Sequence, residues 1–235
     1  MSDSSFPTPS SLISERRFEE DIERVLLRGG PDAFSGDQVA VREGEPPFGD
    51  FAPGGYHKRL PEDYDRELCL IPADVYDFIL ATQAKEWGRY KAQHGDAAKG
   101  KLLDRIAAEI ARSGTLVVFR SGVKDSGIHF KLAYFKPASG LNEGSSRLYR
   151  ANIFSVLRQL RFSRRSEESI DLGVFVNGIP VFTAELKNPM TGQNVEDARS
   201  QYCDRDPREP LFAYGRCLAH FALDPNLVYV TTLVN

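Results

Sequence analysis

Three ionisable residues interrupt the otherwise apolar stretch 170–189 in a pattern that could carry out hydrolysis. Asp171 stands near its start, and Glu185 and Lys187 lie two residues apart near its end. Two neighbouring carboxylates repel each other unless a cation lies between them, and oxygen ligands suit Mg²⁺ or Mn²⁺. A lysine beside such a pair can stabilise negative charge that develops on a phosphate. These residue types fit metal-dependent phosphodiester hydrolysis, although a solvated Glu–Lys pair on a strand face is the ordinary alternative.

Whether these groups converge depends on the register of one hairpin. Asn177 and Gly178, between two apolar runs, are a strong hairpin signal. Side chains alternate along a strand, so a plain two-residue turn places Asp171 opposite Ala184 and facing away from Glu185. A slip of one residue reverses every side chain. If the three charged groups form one site, we therefore predict an odd-length connection or a compensating bulge.

The elements that must position these groups follow from hydrophobic periodicity. A helix is predicted over 14–28, where Phe18, Ile22, Val25 and Leu26 form one apolar stripe. Further helices are predicted over 72–93, 100–114 and 195–204. Short runs rich in β-branched and aromatic residues predict strands over 115–122, 130–137, 152–163, 171–176, 180–187 and 227–232. This order predicts an α/β (α+β) fold in which helices flank a central mixed sheet.

Composition excludes several classes of protein. The chain has 235 residues, of which 41% are hydrophobic and 27% are charged, with a net charge of −3, so any DNA-binding surface must be a local patch. The three cysteines show no metal-type spacing, which favours a reduced, cytoplasmic setting. No apolar run approaches the roughly 18 residues of a membrane span. We expect a disordered lead over 1–13 and a loop-dominated segment over 31–67.

The wider sequence context resembles one family. The motifs "FVNGIPV", "ELKNP", "QY" followed by "DRDP", "PLF" and "HFALD" look like the N-terminal nuclease region of the restriction (motor) subunit of type I restriction-modification enzymes. That region is part of the PD-(D/E)XK nuclease superfamily. The resemblance implies a restriction-endonuclease-like fold and a magnesium-dependent endonuclease, with manganese as an alternative, that cleaves double-stranded DNA. A catalytically inactive DNA-binding or docking module of the same fold is the alternative reading.

The resemblance also implies roles for individual residues. By matching position, Asp171 and Glu185 become metal ligands and Lys187 the catalytic lysine. An acidic residue on the first helix often completes such sites, and Glu19 is the candidate, with Glu15 and Glu20 as alternatives.

The family places a Gln-x-x-x-Tyr motif on the following helix, and this chain departs from it. Gln201 matches the glutamine and is a further catalytic candidate. Arg205 stands where the tyrosine is expected, and Tyr202 directly follows the glutamine. The departure leaves the roles of Tyr202 and Arg205 open.

The family further implies how the chain is organised. Residues 14–235 are expected to form the endonuclease domain, with a catalytic core over 145–235 plus the helix 14–28. Because members of this family continue into an ATP-dependent translocase, we expect a longer chain with such a region at its C-terminal end. The 235 residues themselves offer only a partial phosphate-loop pattern, in which Lys101 is followed by Leu102 rather than Ser or Thr. ATP would then act only in the translocase region. Specificity and modification subunits are the expected partners.

A run of arginines over 147–165 contains no acidic residue. Within it, Arg164 and Arg165 form a turn close to Asp171 in sequence. We expect this turn to contact DNA phosphates, which position DNA without reading its sequence. A solvated turn is the alternative.

Overall fold

The computed structural model describes residues 9–32, 55–138, 142–188 and 192–234, with side chains from residue 16 onward. The helices are α1 (Pro9–Gly29), α2 (Pro72–His94), α3 (Ala98–Ser113), α4 (Thr115–Ser121), α5 (Glu143–Arg150) and α6 (Val195–Asp204). The strands are β1 (His57–Arg59), β2 (Val123–Asp125), β3 (Ile128–Phe130), β4 (Phe154–Arg161), β5 (Ser169–Val176), β6 (Ile179–Leu186), β7 (Ala219–Leu223) and β8 (Val228–Thr231).

The main sheet is six-stranded, in the order β1-β4-β5-β6-β7-β8. Strands β1 and β4 pair in parallel, as do β6 and β7, and the other neighbours are antiparallel. The predicted mixed α/β fold with a central sheet is therefore confirmed. It places the β5–β6 hairpin in the middle of the sheet, between β4 and β7.

Helices cover both faces of this sheet. Apolar residues of α1 pack with Val156, Leu172 and Leu186 on one face. On the other face, a second cluster joins residues of α6, including Tyr202, to Leu157 of β4. A third cluster lies among α2, α3, α4 and the small β2–β3 hairpin.

Helix α1 packs Phe18, Ile22 and Leu26 against the sheet, as its apolar stripe predicts, but the helix is turned slightly toward its acidic edge. Val25 is 54% exposed, whereas Glu19 and Glu23 are buried. Both carboxylates have cationic partners, because Arg158 donates to Glu19 and Lys58 to Glu23. Ion pairing with the sheet therefore turns the acidic edge of the stripe inward. The helix begins at Pro9, within the segment predicted as a lead, of which residues 1–8 lie outside the described residues.

The strand predicted over 115–122 is wrong, because these residues form α4. Helix α3 is terminated by Gly114, which has a φ of 81°. The backbone N–H of Thr115 then donates to the backbone carbonyl of Gly215. Val118 and Phe119 are buried while the two preceding residues are exposed, which is a helical rather than an alternating pattern. Tertiary packing overrides the β propensity of this β-branched segment.

The strand predicted over 130–137 is also wrong beyond its first residue, where β3 ends. The backbone groups of this segment form hydrogen bonds with side chains instead of with a partner strand. Gln83 accepts from the backbone N–H of Lys131 and donates to its carbonyl, at 2.7 and 2.9 Å, and Asn152 accepts from Tyr134 N–H at 3.1 Å. The backbone is thereby satisfied without a ladder.

Four elements were not predicted: the strands β1, β2 and β7 and the helix α5. Strand β1 lies inside the segment expected to be loop. Residues 33–54 of that segment lie outside the described residues. None of the helices in the described ranges is both long enough and apolar enough to cross a membrane.

Candidate active site

The β5–β6 hairpin contains the predicted compensating bulge. Val176 pairs with Ile179, so the turn has two residues, but the register shifts between Val174 and Phe175. Phe175 pairs with Pro180 and Val174 with Phe182, which leaves one extra residue on β6 between these pairs. Beyond the bulge the register shifts by one residue relative to a plain turn, and every side chain on β6 changes face relative to β5.

The bulge places Asp171 opposite Glu185. Gly173 pairs with Thr183 and Leu172 with Ala184, and the next step of this register joins the two acids. Opposed residues point to the same side of a sheet. The two carboxylates that a plain turn would separate therefore lie on one face.

The turn itself is held by contacts with distant loops. Asn177 and Gly178 have φ of 51° and 78°, as a two-residue primed turn requires. The Asn177 amide donates to the carbonyl of Leu132 and its oxygen accepts from the N–H of Ile153, at 2.9 and 2.7 Å. The carbonyl of Gly178 accepts from Ile71 N–H at 2.8 Å.

Asp171 and Glu185 interact at the end of the hairpin. One oxygen of Asp171 accepts from the backbone N–H of Leu186 at 2.7 Å. Glu185 is only 2% exposed. Burial, together with the negative charge of Asp171, raises the pKa of Glu185 to about 8. A carboxyl in this position is poised to exchange its proton for a cation.

Glu19 approaches the same pair from α1. The amide of Gln159 donates to Glu19 at 3.1 Å and to Asp171 at 3.3 Å. Burial and the charge of Asp171 raise the pKa of Glu19. Glu20 instead pairs with Arg16 at 2.9 Å, and the side chain of Glu15 lies outside the described part of the chain. Of the two candidates whose side chains the structure describes, Glu19 is the one that it brings toward the hairpin acids.

Gln159 can make this link because its backbone is left-handed inside a strand. Its φ is 51°, and the regular pairs Arg158–Leu172 and Leu160–Ile170 flank it. Non-glycine residues rarely adopt this conformation, and it concentrates at functional sites. The neighbouring Arg158 donates to Glu19 at 3.1 and 3.2 Å, which holds α1 against the sheet.

Arg205 occupies the other side of Glu185. It directly follows α6, and its guanidinium donates to Glu185 Oε1 at 2.6 Å and to the carbonyl of Ser169 at 3.0 Å. Its charged group also lies over the ring of Phe162, 5.0 Å from the centroid. The residue that replaces the expected tyrosine thus forms an ion pair with Glu185, and no other cation in the described ranges does so.

Lys187 follows β6 directly. Its backbone N–H donates to the carbonyl of Leu223 at 2.9 Å, and the residue is 6% exposed. No ion pair within the described ranges involves its side chain. A largely enclosed lysine without a carboxylate partner leaves its positive charge available to an anionic ligand.

Gln201 and Tyr202 differ in surroundings. Gln201 is half-buried, and its side-chain oxygen has no hydrogen-bond partner among the described residues. The Tyr202 hydroxyl shares a hydrogen bond of 2.9 Å with Thr183, which contacts the ring of His220 at 2.7 Å. Tyr202 is therefore part of the buried wall behind Glu185, whereas no hydrogen bond in the described part of the chain joins Gln201 to either hairpin acid.

The donor chemistry fits a magnesium ion better than a metal held entirely by protein. Within the described residues, no group of three or more His, Cys, Asp or Glu side chains could hold a metal ion. Magnesium is usually bound by one or two carboxylates together with waters and substrate phosphates. Asp171 and Glu185 supply such a pair, and the Gln159 amide and the Arg205 guanidinium now donate to their oxygens.

The Arg164–Arg165 turn lies between β4 and β5, and both residues are exposed. Arg164 is 3.7 Å from a carboxylate oxygen of Glu67 and 3.9 Å from one of Glu209. Both distances are long for an ion pair, and Glu67 is exposed whereas Glu209 is buried. The arginine remains available for a phosphate.

A family model described as the type I restriction enzyme R protein N terminus (HSDR_N) matches residues 95–235, which is more than half of the chain. The chain belongs to this family. No curated protein and no solved structure matches it.

The HSDR_N match includes the β5–β6 hairpin and α6, and with them Asp171, Glu185, Lys187 and Arg205. It does not include α1. The place of Glu19 in the candidate site therefore rests on its contacts with Gln159 and Arg158, not on the family.

Two residues of the candidate site, Gln159 and Arg158, were not predicted from the sequence. Nothing in the local sequence marks Gln159 as a left-handed residue. Arg158 stood out only as one arginine in a basic run. Arg205 was visible as a departure from the family's helix motif, but its partner became apparent only from the distance to Glu185.

Proposed function

We propose that this HSDR_N chain is a magnesium-dependent endonuclease domain that cleaves double-stranded DNA within a type I restriction enzyme. The observation that supports this proposal is the bulge in the β5–β6 hairpin. It places Asp171 opposite Glu185 and leaves Lys187 immediately beyond them. Packing gains nothing from a register that places the buried Glu185 beside a second acid.

Each residue of the candidate site would have its own role in hydrolysis. Asp171 and Glu185 would hold the magnesium ion, with Mn²⁺ as an alternative, and Glu19 would orient Asp171 through Gln159. When bound, such an ion polarises a phosphoryl oxygen and lowers the pKa of a water molecule that it binds. Lys187 would stabilise the charge that develops on the phosphate.

The surroundings of the site suggest how DNA would be held. Arg164 and Arg165 would contact phosphates on the sugar-phosphate backbone next to the scissile bond. Recognition of a DNA sequence, modification and ATP-driven translocation would belong to the specificity and modification subunits and to the motor region of the full-length R protein. We place this enzyme in the cytoplasm, in line with three free cysteines, of which two are buried.

The test uses the assembled restriction enzyme. Glu185→Gln and Lys187→Met should each lower DNA cleavage by at least about 10³-fold while ATP hydrolysis continues. Glu196→Gln, which removes an exposed acid on α6, is the matched control and should cleave normally. Undiminished cleavage by either site variant would leave an inert DNA-binding or docking module as the better description.

A further inference from the structure

Arg205 is held more firmly than a surface arginine. The residue that ends α6 has an extended backbone, with φ −69° and ψ 140°, which turns its side chain back toward the sheet. Its side chain is 14% exposed. One guanidinium nitrogen donates to both Glu185 and the carbonyl of Ser169, and the ring of Phe162 lies beneath the group.

The position of this guanidinium matters for any cation near Glu185. The side chain of Glu185 is 3% exposed, so few positions around its carboxylate are open. Arg205 already donates a hydrogen bond to Oε1 of Glu185 at 2.6 Å, and Asp171 lies on the opposing strand. A divalent cation between the two acids would share the Glu185 carboxylate with a guanidinium only a few ångströms away. Like charges at such a distance in a shielded site oppose each other strongly.

We propose that Arg205 is a positioning residue that sets the metal affinity of the site, because its fixed positive charge lies against the Glu185 side chain. It holds the carboxyl group of Glu185 in place when no metal is bound, and it weakens the binding of a divalent cation to the free protein. This inference rests on the proposed nuclease function.

The arrangement has a consequence for substrate binding. With a divalent cation present, the two positive charges of the ion add to those of Arg205 and Lys187, while Asp171 and Glu185 contribute two negative charges. The loaded site is then positively charged and attracts a phosphodiester. Metal and DNA should accordingly bind better together than separately, which confines a loaded site to the DNA complex.

The test measures Mn²⁺ binding to the 235-residue chain without DNA, by the electron paramagnetic resonance signal of free Mn²⁺. Arg205→Met should tighten the dissociation constant by about tenfold, because it removes the opposing charge. Arg205→Gln keeps an amide donor for Glu185 without the charge and should tighten binding as well. Arg205→Lys keeps the charge and should bind Mn²⁺ like the parent chain. Arg199→Met, on the exposed face of α6, should leave the constant unchanged.

A second readout guards against loss of structure in these variants. The rise in melting temperature on adding Mn²⁺ should be larger for Arg205→Gln than for the parent chain, because ligand linkage follows affinity. Equal or weaker Mn²⁺ binding by both neutral variants would overturn the role of Arg205. Failure of the proposed function looks different, since Mn²⁺ binding would then be absent from the parent chain or unaffected by Glu185→Gln.

Discussion

The pKa of Glu185 makes a quantitative prediction about stability. In the folded, metal-free chain, burial and the charge of Asp171 raise this pKa from 4.5 to about 8. Between those values the folded state keeps a proton that the unfolded chain releases. Stability must therefore fall as pH rises through this window, by about 1.4 kcal/mol per pH unit. Over the whole interval between the two pKa values, the loss in unfolding free energy is about 5 kcal/mol, which is a large part of the stability of a typical domain.

Glu185→Gln isolates this contribution, because the amide resembles the protonated carboxyl and does not titrate. Urea unfolding in EDTA, at pH values from 5 to 9, should show the parent chain losing stability relative to the variant as pH rises, with the loss levelling off above about pH 8. Glu196→Gln serves as control, since that carboxyl is exposed. Saturating Mg²⁺ should remove most of the loss. If the unfolding free energies of the parent chain and of Glu185→Gln changed in parallel with pH, the Glu185 carboxyl would not retain its proton in the folded state, and the reasoning would be refuted.

Three further predictions concern the hairpin, the DNA surface and the strand β4. Gly178→Ala adds a Cβ 2.3 Å from a backbone oxygen at φ 78° and should lower the unfolding free energy by more than about 3 kcal/mol. The control Gly127→Ala has φ 74° but open space and should lose only about 1–2 kcal/mol in the same urea assay; equal losses would contradict the close packing. Arg164→Ala combined with Arg165→Ala should weaken DNA binding and reduce its salt dependence by about one unit of slope per lost phosphate contact, and an unchanged slope in fluorescence anisotropy would argue against contact. Gln159→Ala should cost about 1–2 kcal/mol and move the pKa of the linked carboxyl on α1 further upward, as followed by NMR titration; an unmoved pKa would show that the amide does not hold that group.

Segments with strong local signals were predicted correctly. The long apolar periods of α2, α3 and α6 and the alternating strands of the β5–β6 hairpin were all readable from the sequence, because each satisfies its backbone within itself or with a neighbour in sequence. The segments over 115–122 and 130–137 were not. Their residues favour strands, but their backbone partners are distant side chains and loops such as Gln83 and Gly215.

The rotation of α1 is a second example of a distant cause. Periodicity places Val25 in the buried stripe, yet Glu19 and Glu23 face the sheet. The apolar pattern is broad enough to allow either rotation. The ion pairs with Arg158 and Lys58 select one, and neither cation is near α1 in sequence.

The chemistry of the site and its geometry have different origins. The sequence alone identifies the ionisable groups and the turn, namely Asp171, Glu185, Lys187 and Asn-Gly. It was also enough to state that the two acids converge only if the loop is odd in length or the hairpin contains a bulge. The bulge itself, the left-handed Gln159 between two carboxylates and the guanidinium of Arg205 on Glu185 depend on the packed sheet and on α6. Register shifts and the partners of buried charges depend on contacts between residues far apart in the chain, and those contacts exist only once the fold has formed.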